Sequence, residues 1–145
     1  MPEIDINQLD SGELLQGIFF GVKPQEYAGS GWSKFEKRTL EKAVEHAAKK
    51  IPVLEKLLGP YVIRTTERGG SKDKRTSLQA GFDIFEESDL LEADDVRPGL
   101  VRVTYKLHDN MCKIFEAKYG AKMHDVFEPI NKEVWSAYQK IKKSA

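Results

Sequence analysis

Val101-Arg102-Val103-Thr104-Tyr105-Lys106-Leu107 is the stretch on which the reading of this chain turns. Apolar and polar residues alternate along it, as in a strand with one face on a core and the other in water. Two earlier stretches repeat the pattern. Tyr61, Ile63 and Thr65 alternate with Val62 and Arg64, and Leu78, Ala80, Phe82 and Ile84 alternate with Gln79, Gly81 and Asp83. Together they predict three half-buried strands of a mainly antiparallel sheet.

Helical signals flank these strands. Ser33-Lys34-Phe35-Glu36 has the form of a capping box, in which serine and glutamate each satisfy an unpaired amide of the first turn. Leu40, Val44, Ala47, Ala48 and Ile51 then recur at helical spacing. Pro52 should kink or restart this helix, and Gly59-Pro60 should stop it after Val53, Leu54, Leu57 and Leu58. At the other end Phe127, Ile130, Val134, Tyr138 and Ile141 form one face of a closing helix, with Pro129 suited to its first turn. Between the first two strands Arg68 to Arg75 reads as a hairpin-like loop, and Glu86 to Gly99 as a longer acidic connection. The expected architecture is α+β over residues 33–145, a single domain in which a mainly antiparallel sheet packs with a long first helix and a C-terminal helix. Residues 1–32 read as an irregular N-terminal arm, because Gly12, Gly17, Gly21, Pro24, Gly29 and Gly31 interrupt every apolar run. Leu14-Leu15 and Ile18-Phe19-Phe20 are too apolar for a free tail. The arm packs on its own domain or on a neighbouring subunit.

With 145 residues the chain is long enough to bury a core without disulfides or metals. Lys plus Arg and Asp plus Glu are 23 each, so no global charge draws it to nucleic acid or membrane. A single cysteine, Cys112, excludes an internal disulfide framework and points to a reducing compartment. Apolar runs are too short for a membrane span, and no signal-peptide pattern opens the chain, so no membrane partner is expected.

No constellation for catalysis emerges, and no metal or cofactor is expected. Cys112 and His124 could form a thiolate–imidazole pair, but Cys112 sits among Met111, Ile114 and Phe115, the setting of an inert buried thiol. His108, Cys112 and His124 do not complete a tetrahedral zinc set. His46 has Lys42 and Lys50 one turn away on either side, with no carboxylate at that spacing. Gly69-Gly70-Ser71-Lys72 lacks the spaced glycines and the Lys-Ser/Thr ending of a nucleotide loop.

Charge is nevertheless segregated. Between residues 64 and 75, Arg64, Arg68, Lys72, Lys74 and Arg75 stand against Glu67 and Asp73. Between 83 and 97, only Arg97 offsets Asp83, Glu86, Glu87, Asp89, Glu92, Asp94 and Asp95. Such runs are ordinary solvated surface in one reading. In the other the two patches meet between subunits, a head-to-tail contact that closes into a ring when the rotation allows. The candidate contact residues are Arg68, Lys72, Lys74 and Arg75 against Glu86, Glu87, Asp89, Asp94 and Asp95. The basic loop could also face a nucleic-acid backbone.

The order of these segments resembles the neck or tail-completion (head–tail joining) proteins of long-tailed double-stranded DNA phages. The helix from Leu40 to Ile51 is similar to the alanine-rich, charged first helix of that family. Lys74-Arg75-Thr76-Ser77-Leu78 is similar to its Thr-Gly-x-Leu start of a strand after a basic loop, with Ser77 in place of the glycine. Phe115-Glu116-Ala117-Lys118-Tyr119-Gly120 resembles a segment ending in Glu-Tyr/Phe-Gly, with two extra residues. Val126-Phe127-Glu128-Pro129-Ile130 resembles the Pro-Phe-x-x-Pro-Ala start of the family's last helix. The likeness covers residues 38–143, and the arm at 1–32 has no counterpart in it.

The resemblance implies a structural virion protein without catalytic activity, present in the host cytoplasm during assembly. It would form a homo-oligomeric ring joining the portal or adaptor to the tail tube or its terminator, with non-specific contact to passing DNA possible. Two other classes fit the same composition. A small inhibitory or regulatory binding protein, such as an immunity or anti-defence factor, would bind one enzyme tightly. A toxin-like ribonuclease would need Arg102, Lys106 and His108 to converge on a scissile phosphate, Arg102 and Lys106 sharing one strand face.

Overall fold

A computed structural model describes residues 6–19, 35–65, 69–97, 99–110, 113–114, 116–120 and 123–144. The fold is α+β, and every strand pairing is antiparallel. Its centre is a pair of helices, α2 (Lys37–Ala47) and α7 (Met123–Ser144). Leu40, Ala43, Val44 and Ala47 on α2 are buried, as are Phe127, Ile130, Val134, Ala137 and Tyr138 on α7. Both sets recur every three or four residues, so each helix turns one continuous apolar stripe to the core. Pro52 restarts the chain as expected: a 3-10 turn over Pro52–Leu54 leads into α3 (Glu55–Leu58).

Part of the expected irregular arm belongs to this core. Residues Ser11–Ile18 form α1, which packs on α7 and on α4 (Ser77–Glu87) of the same chain. Asp10 caps α1, accepting from the Glu13 amide at 2.7 Å, and Leu14, Leu15 and Ile18 are buried. The carbonyl of Ile18 accepts from Asn131 Nδ2 at 2.6 Å and Trp135 Nε1 at 2.7 Å, two donors on α7 that satisfy the helix's C-terminal end. Gly17 lies so close to Phe127 that a β-carbon there would sit 2.3 Å from the ring. Phe19, Phe35, Phe82, Trp135 and Tyr138 complete the centre as an aromatic cluster, with Phe19 and Phe35 centroids 5.3 Å apart.

The strands fall into two sheets. β1 (Phe35–Glu36), β5 (Leu100–Val103) and β4 (Leu91–Ala93) form one, in the order β1-β5-β4. Val101 and Val103 face the core while Arg102 is exposed, as the alternation requires. β2 (Pro60–Thr65) and β3 (Gly69–Thr76) form a separate two-stranded ribbon whose main neighbour is α4.

Several expectations are corrected. Leu78–Ile84 is not a strand but most of α4. Leu78, Phe82 and Phe85 recur at helical spacing and are buried, whereas Ile84, which alternation would bury, is 44% exposed. The helix is started by a capping box, Thr76 Oγ1 accepting from the Gln79 amide and Gln79 Oε1 from the Thr76 amide, both at 3.1 Å. For the same reason Lys74-Arg75-Thr76-Ser77-Leu78 leads out of a strand into a helix, not into a strand. Residues 69–76 are strand β3 rather than loop, and the acidic connection contains β4. The strand at 101 ends at Val103, and α5 (Tyr105–Asn110) follows. Phe35-Glu36 are a strand instead of the first helical turn, and Ser33 and Lys34 lie outside the described residues. α7 begins at Met123, so Pro129 lies inside the helix rather than in its first turn. Its ring supplies no amide for the ladder, a local weakness that Phe127 and Ile130 on either side bridge by burial.

Candidate functional site

The oppositely charged segments lie at the two ends of α4. The ribbon enters the helix at Thr76, and Glu86, Glu87 and Asp89 close it. An eleven-residue helix is about 16 Å long, so the basic and acidic ends are well separated.

Among the expected basic residues, Arg68 lies outside the described residues. Lys72 and Lys74 are on β3, with only their backbone described. Arg75 is committed within the chain, its guanidinium bonded to Asp83 one turn and a half along α4. On the acidic side Glu86 pairs with Lys37 Nζ at 2.9 Å, which ties α4 to the start of α2. Glu87 and Asp95 are exposed. Asp89 is exposed with φ of 61°, the left-handed turn that reverses the chain after α4, and its carbonyl accepts from Thr104 Oγ1 at 2.6 Å. Asp94 shapes the β4–β5 turn, its Oδ1 accepting from the amides of Val96 at 2.8 Å and Arg97 at 3.0 Å. Thus Arg75, Glu86 and Asp94 each have a structural task.

What the fold does assemble is a groove of about 310 Å³ beside β4, lined by Glu86, Asp89, Leu91, Glu92, Ala93 and Thr104. Glu92 belongs to the acidic run but is not one of the candidate contacts. Arg102 Nη2 meets it across the β4–β5 ladder at 2.7 Å. The signal for this arrangement was faint, since β4 is three residues long and carries no period of its own.

A second polar cluster clasps α1 to α6 (Glu116–Tyr119). Glu13 Oε2 receives the Tyr119 hydroxyl and Lys118 Nζ, the latter at 3.0 Å. Burial acts to raise the Glu13 pKa but is outweighed by the hydrogen bonds from Tyr119 and Lys118, which hold the carboxyl below its ordinary value. Lys118 is raised, first by its bond with Tyr119 and then by Glu13, and Tyr119 is raised mainly by burial. Tyr138 is also raised by burial, its oxygen accepting from the Glu36 amide at 3.0 Å. These groups join α1 to α6 and β1 to α7.

The sequence features weighed for chemistry are not brought together among the described residues. Met111, Cys112 and Phe115 lie outside them, as do the side chains of His108 and His124, and His46 is exposed on α2. No group of three His, Cys, Asp or Glu residues among the described ones could hold a metal. Because the strand ends at Val103, Lys106 sits on α5 and does not share a strand face with Arg102. No described helix is long and apolar enough to cross a membrane. No protein-family model, no curated protein and no solved structure matches the chain.

Proposed function

We propose that this chain is a non-catalytic building block of the neck of a long-tailed phage, assembling into a ring that joins the portal or adaptor to the tail. The order of sequence segments over residues 38–143 motivates the family. The structural observation that carries the assembly reading is the β2–β3 ribbon. It stands apart from the three-stranded sheet and its main neighbour is a single helix. A two-stranded ribbon is marginal on its own in water, and each of its outer edges offers a row of backbone donors and acceptors. A ribbon of this kind gains stability by docking.

The basic and acidic segments at opposite ends of α4 give one subunit two unlike surfaces. Unlike surfaces produce heterologous contacts, which propagate round a ring. In this reading the ring's rims meet the portal side and the tail side, and the core of α1, α2 and α7 keeps each wedge rigid.

Native mass spectrometry of the full chain, with negative-stain microscopy of the same sample, tests the proposal. The expected result is one closed multimer of defined copy number whose population falls as salt is raised. Turnover of a substrate, or a stable one-to-one complex with a single enzyme and no multimer, would overturn it.

A further inference from the structure

The ladder of β4 fixes which of its backbone groups are spoken for. The Asp94 amide donates to Leu100 O at 2.9 Å and the Thr104 amide to Leu90 O at 3.2 Å. The register sets Leu91 opposite Val103, Glu92 opposite Arg102 and Ala93 opposite Val101. In an antiparallel pair, bonded and non-bonded positions alternate. Leu90, Glu92 and Asp94 therefore turn their backbone groups to β5, and Leu91 and Ala93 turn theirs outward. Among the described residues β4 is the terminal strand of its sheet, paired on one side. Its outer edge offers two rungs, and the groove rimmed by Glu86, Asp89 and Glu92 runs beside it, with one carboxylate oxygen of Glu86 and one of Glu92 held by Lys37 and Arg102.

An extended strand carrying cations fits such an edge, and this chain contains one. β3 bears Lys72 and Lys74 in a ribbon whose outer edges are unpaired among the described residues. Its junction with α4, at Thr76, lies at the other end of that helix from the groove. The order of charged segments also runs against the helix dipole of α4: the basic strand leads into its positive N-terminal end, and carboxylates follow at its negative C-terminal end. Each end is improved by a partner of the other kind.

We propose that β3 of a second copy adds to the outer edge of β4, so that the three-stranded sheet of one subunit continues into the ribbon of the next. This rests on the assembly reading above and names the surface through which it occurs. Backbone bonds to Leu91 and Ala93 supply the register, and Lys72 and Lys74 against the acidic rim select the orientation.

Ala93→Pro is the discriminating variant. It deletes an outward amide while leaving the β4–β5 bonds intact, at an edge position that tolerates proline. Sedimentation velocity on the full chain at several hundred micromolar is expected to show association weakened about tenfold or more, with unchanged thermal unfolding of the monomer. The double variant Lys72→Glu/Lys74→Glu should weaken association likewise. Adding Glu92→Lys to it should restore part of the association by reversing charge at the rim. A wild type that remains monomeric overturns both this inference and the assembly reading. A wild type that assembles alongside an equally assembled Ala93→Pro overturns this inference alone. Loss of duplex-DNA binding in Lys72→Glu/Lys74→Glu with the multimer intact would assign the ribbon to nucleic acid and overturn it too.

Discussion

Replacing Gly17 by alanine sets two effects against each other, and the placement of α1 decides which wins. Glycine to alanine inside a helix ordinarily stabilises by about 1 kcal/mol, because alanine loses less backbone freedom on folding. Here the new β-carbon would lie 2.3 Å from Phe127 Cδ1 and 2.8 Å from Cε1. Carbon atoms in contact prefer about 3.5–4.0 Å, so ring or helix must move by more than an ångström. Phe127 is fully buried, with the Tyr119 ring 6.3 Å away and edge-on, and has nowhere to retreat. Overpacking of this kind costs about 1–3 kcal/mol, and a buried ring belongs near the upper end. Subtracting the propensity gain leaves Gly17→Ala destabilised by roughly 2 kcal/mol, a fall in Tm of roughly 4–8 °C.

Gly81→Ala is the control. Its β-carbon would meet only the terminal methyl Cδ2 of Leu15, at 2.7 Å, which a rotamer change can clear. Its stability should stay within about 1 kcal/mol of wild type. Urea unfolding followed by circular dichroism reads both variants. In a Phe127→Leu background the penalty at Gly17 should shrink by about 1 kcal/mol or more, since contacting residues couple. A Gly17→Ala protein as stable as wild type would refute the packing of α1 on α7. A penalty that varied with protein concentration would instead place the arm on a neighbouring subunit.

Thr76→Ala removes the cap of α4 and should cost about 1 kcal/mol, with loss of helical signal; no change would favour a strand at 78–84. Tyr138→Phe leaves the half-buried Glu36 amide without its acceptor and should cost about 1–2 kcal/mol in the same urea assay, an effect absent if β1 is not held against α7. The lowered Glu13 pKa makes its clasp fully effective above the ordinary value of 4.5 and weaker as pH falls through the lower folded-state value. Glu13→Gln should therefore be less stable than wild type at neutral pH, the two converging as pH drops below 4.5; a gap that persisted at pH 3 would show that the carboxylate charge is not what the clasp uses.

The helices with a single apolar stripe were legible. Leu40, Val44 and Ala47 lie buried on α2, and Phe127, Ile130, Val134 and Tyr138 lie buried on α7, as their spacing indicates. Residues 78–85 were ambiguous because Leu78 and Phe82 satisfy period two and period four together. Phe85 and Thr76-x-x-Gln79 carry the deciding information, since strand alternation has no place for a buried residue beside Ile84. The Asp10-x-x-Glu13 box was hidden in the same way by the glycines around it. Gly17 there is no breaker; it is the contact that admits Phe127. Charge alone marks the candidate contacts in the sequence. Charge cannot tell that Arg75, Glu86, Asp94 and Glu92 are all engaged within the chain, nor that Glu92 borders the outer edge of β4, which appears only once β4 pairs with β5.

In the proposed assembly, stability and subunit contact are drawn from separate parts of the chain, and that separation has a physical basis. Among the described residues the buried apolar ones lie mainly on α1, α2, α4 and α7, with others on α3, α5 and the three-stranded sheet. The surfaces proposed for contact are the β2–β3 ribbon, a sheet separate from the three-stranded one, and the exposed rim of β4. A wedge that had to fold by docking would lose its core whenever the ring opened, because ordering a segment and burying it would be one event. With the two divided, substitutions at Gly17 or Thr76 should change unfolding free energy and leave the contact between folded subunits unaltered. Substitutions at Ala93 or Lys72 should do the reverse. A variant of Lys72 that unfolded the monomer would show that the ribbon belongs to the core after all, and the division would fail at its foundation.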